Sequence, residues 1–360
     1  KHRQQLATAL YQQAGITPDN AKKKAQALNQ SLKPIDPELK DRPLFVTLMA
    51  IVYLQGEQEG LPTRRGALYR ESILLLLERW TSTKAEMLSL IELLGDKSLD
   101  DLYNRLATLA YDVHKTCGDQ PGTPEIDEML LYKHLKPLGR TTAAELIPYL
   151  SENAGVLVSP GQDDERDVFH FAHRTFQEYL SASQLVSDCL NADSFSKIAK
   201  HITEKPQIWR VPGVLVGDVL TDTDRRGELW ELIEDLLDDD NAFNSAGSAS
   251  TVWWRVWLAA TICEEQGLPV IETLRGSERS IKALLVERLV QLIEMPQVLD
   301  SIVRADCGRV LGLLGDTRKG VGIKDGLPDI DWVHIPNAGE WIYQDKKRAG
   351  LGDYDISRYP

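Results

Sequence analysis

Near the middle of this chain one stretch alternates as a strand should, and it runs directly into a helix. In Val168-Phe169-His170-Phe171-Ala172-His173, residues 168 and 170 face one way and 169 and 171 the other, the period of a half-buried strand. Thr175-x-x-Glu178 follows, and this pair reads as the reciprocal capping box that starts a helix. His173 is thereby placed where strand gives way to helix. Unpaired backbone N–H groups and the positive helix end favour an anion at such a point, commonly a phosphate. An imidazole can read such a group. The plainer alternative is a histidine that caps or packs at the turn.

The rest of the chain repeats at three and four residues, so the expected fold class is mainly α. Tyr69, Ile73, Leu76, Leu77 and Trp80 share one helical face after the turn-forming Gly60-Leu61-Pro62, and residues 1–97 read as a helical domain. From 98 to 188 the pattern predicts three helices and a hairpin. Leu102, Leu106, Leu109 and Val113 mark the first helix, 129–138 the second and 142–153 the third; 155–172 makes the hairpin. Three helices and a wing describe a winged helix. Such domains often bind DNA through the third helix. Between 142 and 153 there is no Lys or Arg, a poor match to a phosphate-lined groove, so no DNA partner is expected.

Residues 189–318 read as a Trp-rich helical arm, with Ile281, Leu284, Leu285, Leu289 and Leu292 forming a broad apolar face. Its tryptophans (Trp209, Trp230, Trp253, Trp254, Trp257) are expected in the core. Ten acids lie between Asp218 and Asp240 against only Arg225 and Arg226, and they read as a solvated face. A Gly-rich linker is expected over 319–329, and a further domain opens at 330–360.

A net charge of −13 over 360 residues argues against a general nucleic-acid or anionic-membrane binder. Cys117, Cys189, Cys263 and Cys307 lie far apart with no C-x-x-C, which fits free thiols in a cytoplasmic protein. Leu44–Leu54 is apolar but too short to span a bilayer, so no membrane partner is expected. His170 and His173 have no third ligand nearby, so no metal site is expected. Both ends read as cut from something longer.

Family resemblances sharpen these expectations. His173, Thr175, Phe176, Gln177, Glu178, Tyr179 and Leu180 resemble the end of the winged-helix domain in NACHT-type signalling NTPases of the STAND class. That likeness implies that His173 touches the β-phosphate of bound ADP and holds a closed, resting state. Arg42-Pro43-Leu44-Phe45, then Leu61-Pro62-Thr63-Arg64-Arg65-Gly66-Ala67-Leu68-Tyr69, resemble the helical domain after the NACHT core. By the same resemblance Pro43 packs near the adenine; physics alone also allows a plain helix-N1 proline. Arg304–Arg318, ending Leu314-Gly315-Asp316-Thr317-Arg318, resembles a HEAT-type repeat. Asp331-Trp332-Val333-His334-Ile335-Pro336, then Ile356-Ser357-Arg358-Tyr359-Pro360, resemble the opening strands of the formylglycine-generating-enzyme (sulfatase-modifying-factor) fold, whose active cysteines lie beyond the residues matched.

No G-x-x-x-x-G-K-[ST] loop occurs to cradle phosphates and place Mg²⁺, and no catalytic residue is assigned. ADP or ATP with Mg²⁺ is therefore expected only with an N-terminal P-loop domain of the same chain, and none with this portion alone. Self-association on activation is the partner implied. The alternative is a nucleotide-independent helical-repeat interaction scaffold.

Overall fold

Apolar residues at helical spacing bury one face each, and the computed structural model is mainly α, as expected. It describes residues 2–33, 43–55, 64–79, 90–116, 123–159, 162–163, 166–247, 250–267, 277–295, 297–332, 342–343 and 354–355. The chain divides into two compact units, Lys1–Leu314 and Gly315–Pro360.

The first unit opens with α1 (His2–Gln13) and α2 (Pro18–Ser31), packed against each other. Next come α3 (Pro43–Gln55) and α4 (Arg65–Arg79). The apolar run of residues 44–54 lies in α3, with Phe45, Val46, Leu48, Met49 and Ala50 all buried. On α4, Tyr69, Ile73, Leu76 and Leu77 face the core, whereas Trp80 lies outside the described residues.

After the short α5 (Leu90–Leu94) the chain builds a winged helix. Its helices are α6 (Leu99–Thr116), α7 (Glu128–Leu135) and α8 (Arg140–Pro148). Strands β1 (Ile126–Asp127), β2 (Leu157–Val158), β3 (Gln162–Asp163) and β4 (Arg166–Phe171) complete it, all pairing antiparallel with β4. Phe169 and Phe171 are buried, so of the two faces the alternation separated, theirs is the inner one. The short β1, opposite Val168 and Phe169, was not visible in the periodicity because two residues carry no period.

The third helix departs from its expected span of 142–153. It begins at Arg140, so it does carry one cation, exposed at its start. It ends at Pro148, which has no N–H to continue the ladder. A π-helical turn, Tyr149–Asn153, takes over and is closed by Ala154 N–H to the Tyr149 carbonyl at 2.8 Å.

From β4 the chain enters α9 (Arg174–Ala192), then α10 (Ser196–Glu204), α11 (Pro206–Asp222), α12 (Arg226–Leu237), α13 (Asp240–Ser245), α14 (Trp253–Glu265), α15 (Ser277–Glu294) and α16 (Ser301–Leu314). Among the described residues between 190 and 318 there is no strand. Helix α9 packs on α6 and α11, so it joins the winged helix to the arm. Trp209, Trp230, Trp253 and Trp254 are buried, as expected of core tryptophans, and Trp257 is half-buried against the same core. Cys189, Cys263 and Cys307 are free and buried; Cys117 lies outside the described residues. No helix among the described residues is long and apolar enough to cross a membrane.

The acidic run is largely solvated, as its composition suggested, with Asp224, Glu231, Glu234, Asp238 and Asp240 exposed, but several of its acids also bridge helices. Asp218 is buried. Asp235 accepts from Phe195 N at 2.6 Å, Asp239 pairs with Arg255 at 3.2 Å, and Asp240 pairs with the buried Arg288. These few acids tie elements to one another because helix ends and buried guanidiniums need partners.

In the second unit the stretch expected as a linker carries a hairpin, β5 (Ile323–Lys324) with β6 (Leu327–Pro328). Asp325 and Gly326 turn it with φ of 55° and 80°, the Asp-Gly signature of a two-residue hairpin loop. Ile342–Tyr343 pairs with Tyr354–Asp355. Most of the formylglycine-enzyme-like motif, Val333–Trp341 and Ile356–Pro360, lies outside the described residues.

Candidate functional site

β4 ends at Phe171, Ala172 N–H reaches the Val156 carbonyl at 2.9 Å, and His173 is left in an extended conformation ahead of α9. The helix starts two residues earlier than the Thr175–Glu178 pair suggested. His173 itself is the N-cap, its Nδ1 accepting from Thr175 N at 3.2 Å. Thr175 lies inside the first turn with its Oγ1 2.7 Å from the same nitrogen. Glu178 pairs with Arg174 at 3.0 Å. A histidine acceptor replaces the hydroxyl because it already stands at the junction with its ring turned back over the helix end.

The ring is wedged among aromatics from two distant segments. Phe45 of α3 meets it edge-on, centroids 5.3 Å apart at 80°. Phe176 lies 6.2 Å from His173 and 5.8 Å from Phe45. Phe45 also meets Tyr69 of α4 at 5.4 Å, and Tyr69 meets Tyr179 at 5.6 Å. Such edge-to-face contacts favour one ring orientation over others. Pro43 opens α3, two residues before Phe45. The two segments singled out by motif, one around residue 43 and one around 173, thus meet at a single aromatic cluster.

The remaining motif residues point toward the arm. Gln177 is buried and its Nε2 donates to His114 Nδ1 at 3.3 Å; His114 Nε2 donates to the Ile208 carbonyl of α11 at 3.1 Å. Burial pushes the His114 imidazole down to about 4. His201 stacks flat on Trp209 at 4.3 Å and 8°, with Tyr111 Oη 2.9 Å from its Nε2; burial, with Lys197 nearby, pushes it down to about 4. Both rings are therefore neutral near pH 7.

A second junction lies one turn from Tyr69. Arg65 donates through Nε to Asp218 of α11 at 2.9 Å and through Nη2 to Glu265 of α14 at 2.6 Å. Gln266 Nε2 donates to the other Asp218 oxygen at 2.8 Å, and Arg64 to the Thr221 carbonyl at 3.2 Å. A side chain at Gly66 would come within 2.8 Å of Asp218 Cβ, so only glycine lets α4 approach α11 this closely. Asp222 Oδ2 is buried with no hydrogen-bond partner among the described residues. Burial, with the Asp218 charge beside it, pushes Asp222 up to about 6. His170 is structural: its Nδ1 sits 3.1 Å from the Thr123 carbonyl and 3.3 Å from that of Pro124. No group of side chains among the described residues could hold a metal ion.

Sequence reasoning missed Phe45, Arg65, Gln177 and His114 as parts of one arrangement. Phe45 and Arg65 lie inside motifs already quoted; nothing local marks His114, whose partners are 63 and 94 residues away.

Residues 65–185 match the winged helix-turn-helix domain C-terminal to NACHT. The match supports a NACHT-associated region over that stretch. The match includes His173 and Arg65 and leaves out residues 330–360. No curated protein matches the chain.

Proposed function

We propose that this chain is the switch portion of a NACHT-type signal-transduction NTPase in which His173 contacts the β-phosphate of ADP and Pro43 lies near the adenine. The observation that carries this reading is the meeting of the α3 start and the α9 start around Phe45 and His173. A helix N-terminus with an imidazole donor suits an anion, and aromatic packing suits the flat base beside it. The nucleotide and Mg²⁺ are supplied by an N-terminal P-loop domain of the same chain, in a cytoplasmic protein that self-associates when opened. Residues 330–360 begin a formylglycine-enzyme-like module in this reading.

The relay to the arm runs through two routes. Along α4, Tyr69 touches the aromatic cluster and Arg65, one turn away, binds α11 and α14. Along α9, Phe176 touches His173 and Gln177, next in the chain, engages His114 and through it Ile208 of α11. A change in ring position at His173 therefore reaches the arm through contacts one turn or less away.

The test is ADP retention after desalting of the P-loop-bearing protein. A lost hydrogen bond to a charged group costs about 1.5–3 kcal/mol, so His173→Ala should release ADP roughly ten- to a hundredfold faster. His170→Ala, whose ring holds the 123–124 carbonyls, should leave release unchanged. Equal retention in both variants and the parent would return the chain to the scaffold reading.

A further inference from the structure

Asp222 stands where a carboxylate is least welcome. It is the last residue of α11, beside the carbonyls that make a helix end negative. Asp218 lies one turn earlier on the same face, and like charges at that spacing repel. Asp218 has donors, Arg65 at 2.9 Å and Gln266 at 2.8 Å. Asp222 Oδ2 is buried against Gly66 of α4 with no hydrogen-bond partner among the described residues. Of the other groups that face it, Arg64 and Arg70 of α4 favour the ionised form through space. Tyr179 of α9 is kept neutral by burial, and Glu265 of α14 is engaged by Arg65 at 2.6 Å. Burial, with the Asp218 charge beside it, outweighs the two arginines and pushes Asp222 up to about 6.

We propose that Asp222 makes the contact between α4 and the arm a proton-operated latch, which tightens when the carboxyl is protonated and loosens when it is ionised. The proton removes the charge that faces Asp218 and the helix end, and it turns an acceptor without a donor into a donor. Gly66 lets α4 lie directly on both acids, so parting α4 from α11 is what returns Asp222 to water. A carboxyl that holds its proton more tightly in the closed contact than in water must, by linkage, favour the closed contact as pH falls. Because α4 also carries Tyr69 of the aromatic cluster, the latch governs how firmly that cluster and the arm are joined. It requires no nucleotide, so its test is independent of the nucleotide reading.

Hydrogen–deuterium exchange of the whole chain at pH 5, 6 and 7.5, corrected for intrinsic exchange rates, tests it in peptides spanning residues 64–70 and 218–225. With Asp222 at about 6 in the closed contact and at the ordinary 3.8 in water, linkage makes opening about tenfold rarer at pH 5 than at pH 7.5. Solvent screening of a half-buried group widens the expected range to about three- to tenfold. The window lies above the values of His114 and His201, about 4, so those rings stay neutral through it. Asp222→Asn, uncharged throughout, should stay protected at all three pH values, and Asp222→Ala should likewise lose the pH dependence. Gly66→Ala should raise exchange in both segments at every pH, because its side chain would come within 2.8 Å of Asp218 Cβ and wedge α4 from α11. Parent exchange that is equal at pH 5 and 7.5 or faster in acid, pH dependence that survives in both Asp222 variants, or a Gly66→Ala chain that exchanges as the parent does overturns the proposal.

Discussion

Replacing Asp222 with Asn should stabilise this protein at neutral pH, and the gain should disappear in acid. The carboxylate stands beside Asp218 at the contact between α11 and Gly66, with one oxygen buried and unpartnered among the described residues. Its folded-state value of about 6 exceeds the ordinary 3.8 because burial and the Asp218 charge disfavour ionisation. A carboxyl raised in the fold binds protons more tightly there than in the unfolded chain. Its ionisation therefore costs stability: nothing below the unfolded value, progressively more as pH rises toward the folded value, and the full amount above it. The difference between about 6 and 3.8 corresponds to about 3 kcal/mol at one unit per 1.36 kcal/mol. Asp222 is only half-buried, so solvent screening reduces this to about 1–2 kcal/mol. Asn is nearly isosteric, carries no charge, and brings an N–H₂ that Asp218 can accept from. Denaturant unfolding of parent and Asp222→Asn at pH 7.5 and pH 4 measures the effect. A variant less stable than the parent at pH 7.5, or a gain of equal size at both pH values, would refute the charge-based account.

Arg65→Ala should cost about 3–5 kcal/mol by leaving the buried Asp218 charge uncompensated; Asp218→Asn in the same chain should recover much of it, and a double-mutant unfolding cycle with no coupling would count against the junction. The folded-state values of His114 and His201, about 4, lie below the ordinary 6.5, so each contributes stability that is present above 6.5 and lost as pH falls toward 4. His114→Gln should flatten that acid limb, and an unchanged pH profile of unfolding would show that the ring titrates freely.

Much of this protein was legible one residue at a time. Helical periodicity placed α4, α6 and α15, and the alternation of 168–171 placed β4 and put Phe169 and Phe171 on one face, because a face buried against a core must repeat with the element that carries it. The same logic located His173 at a strand–helix junction. It could not say which atom caps the helix: Thr175-x-x-Glu178 has the right spacing, but a ring already poised at the junction supplies Nδ1 first. Composition read the acids from 218 to 240 as solvated, since like charges in a run repel and hydrate. Only packing showed Asp218 against Arg65, Asp239 against Arg255 and Asp240 against Arg288, because those partners lie 153, 16 and 48 residues away in the chain. The cluster of Phe45, Tyr69, His173, Phe176 and Tyr179 belongs to the same class. Each aromatic is ordinary on its own helix, and their meeting is decided by how α3, α4 and α9 pack, a contact that no local pattern encodes.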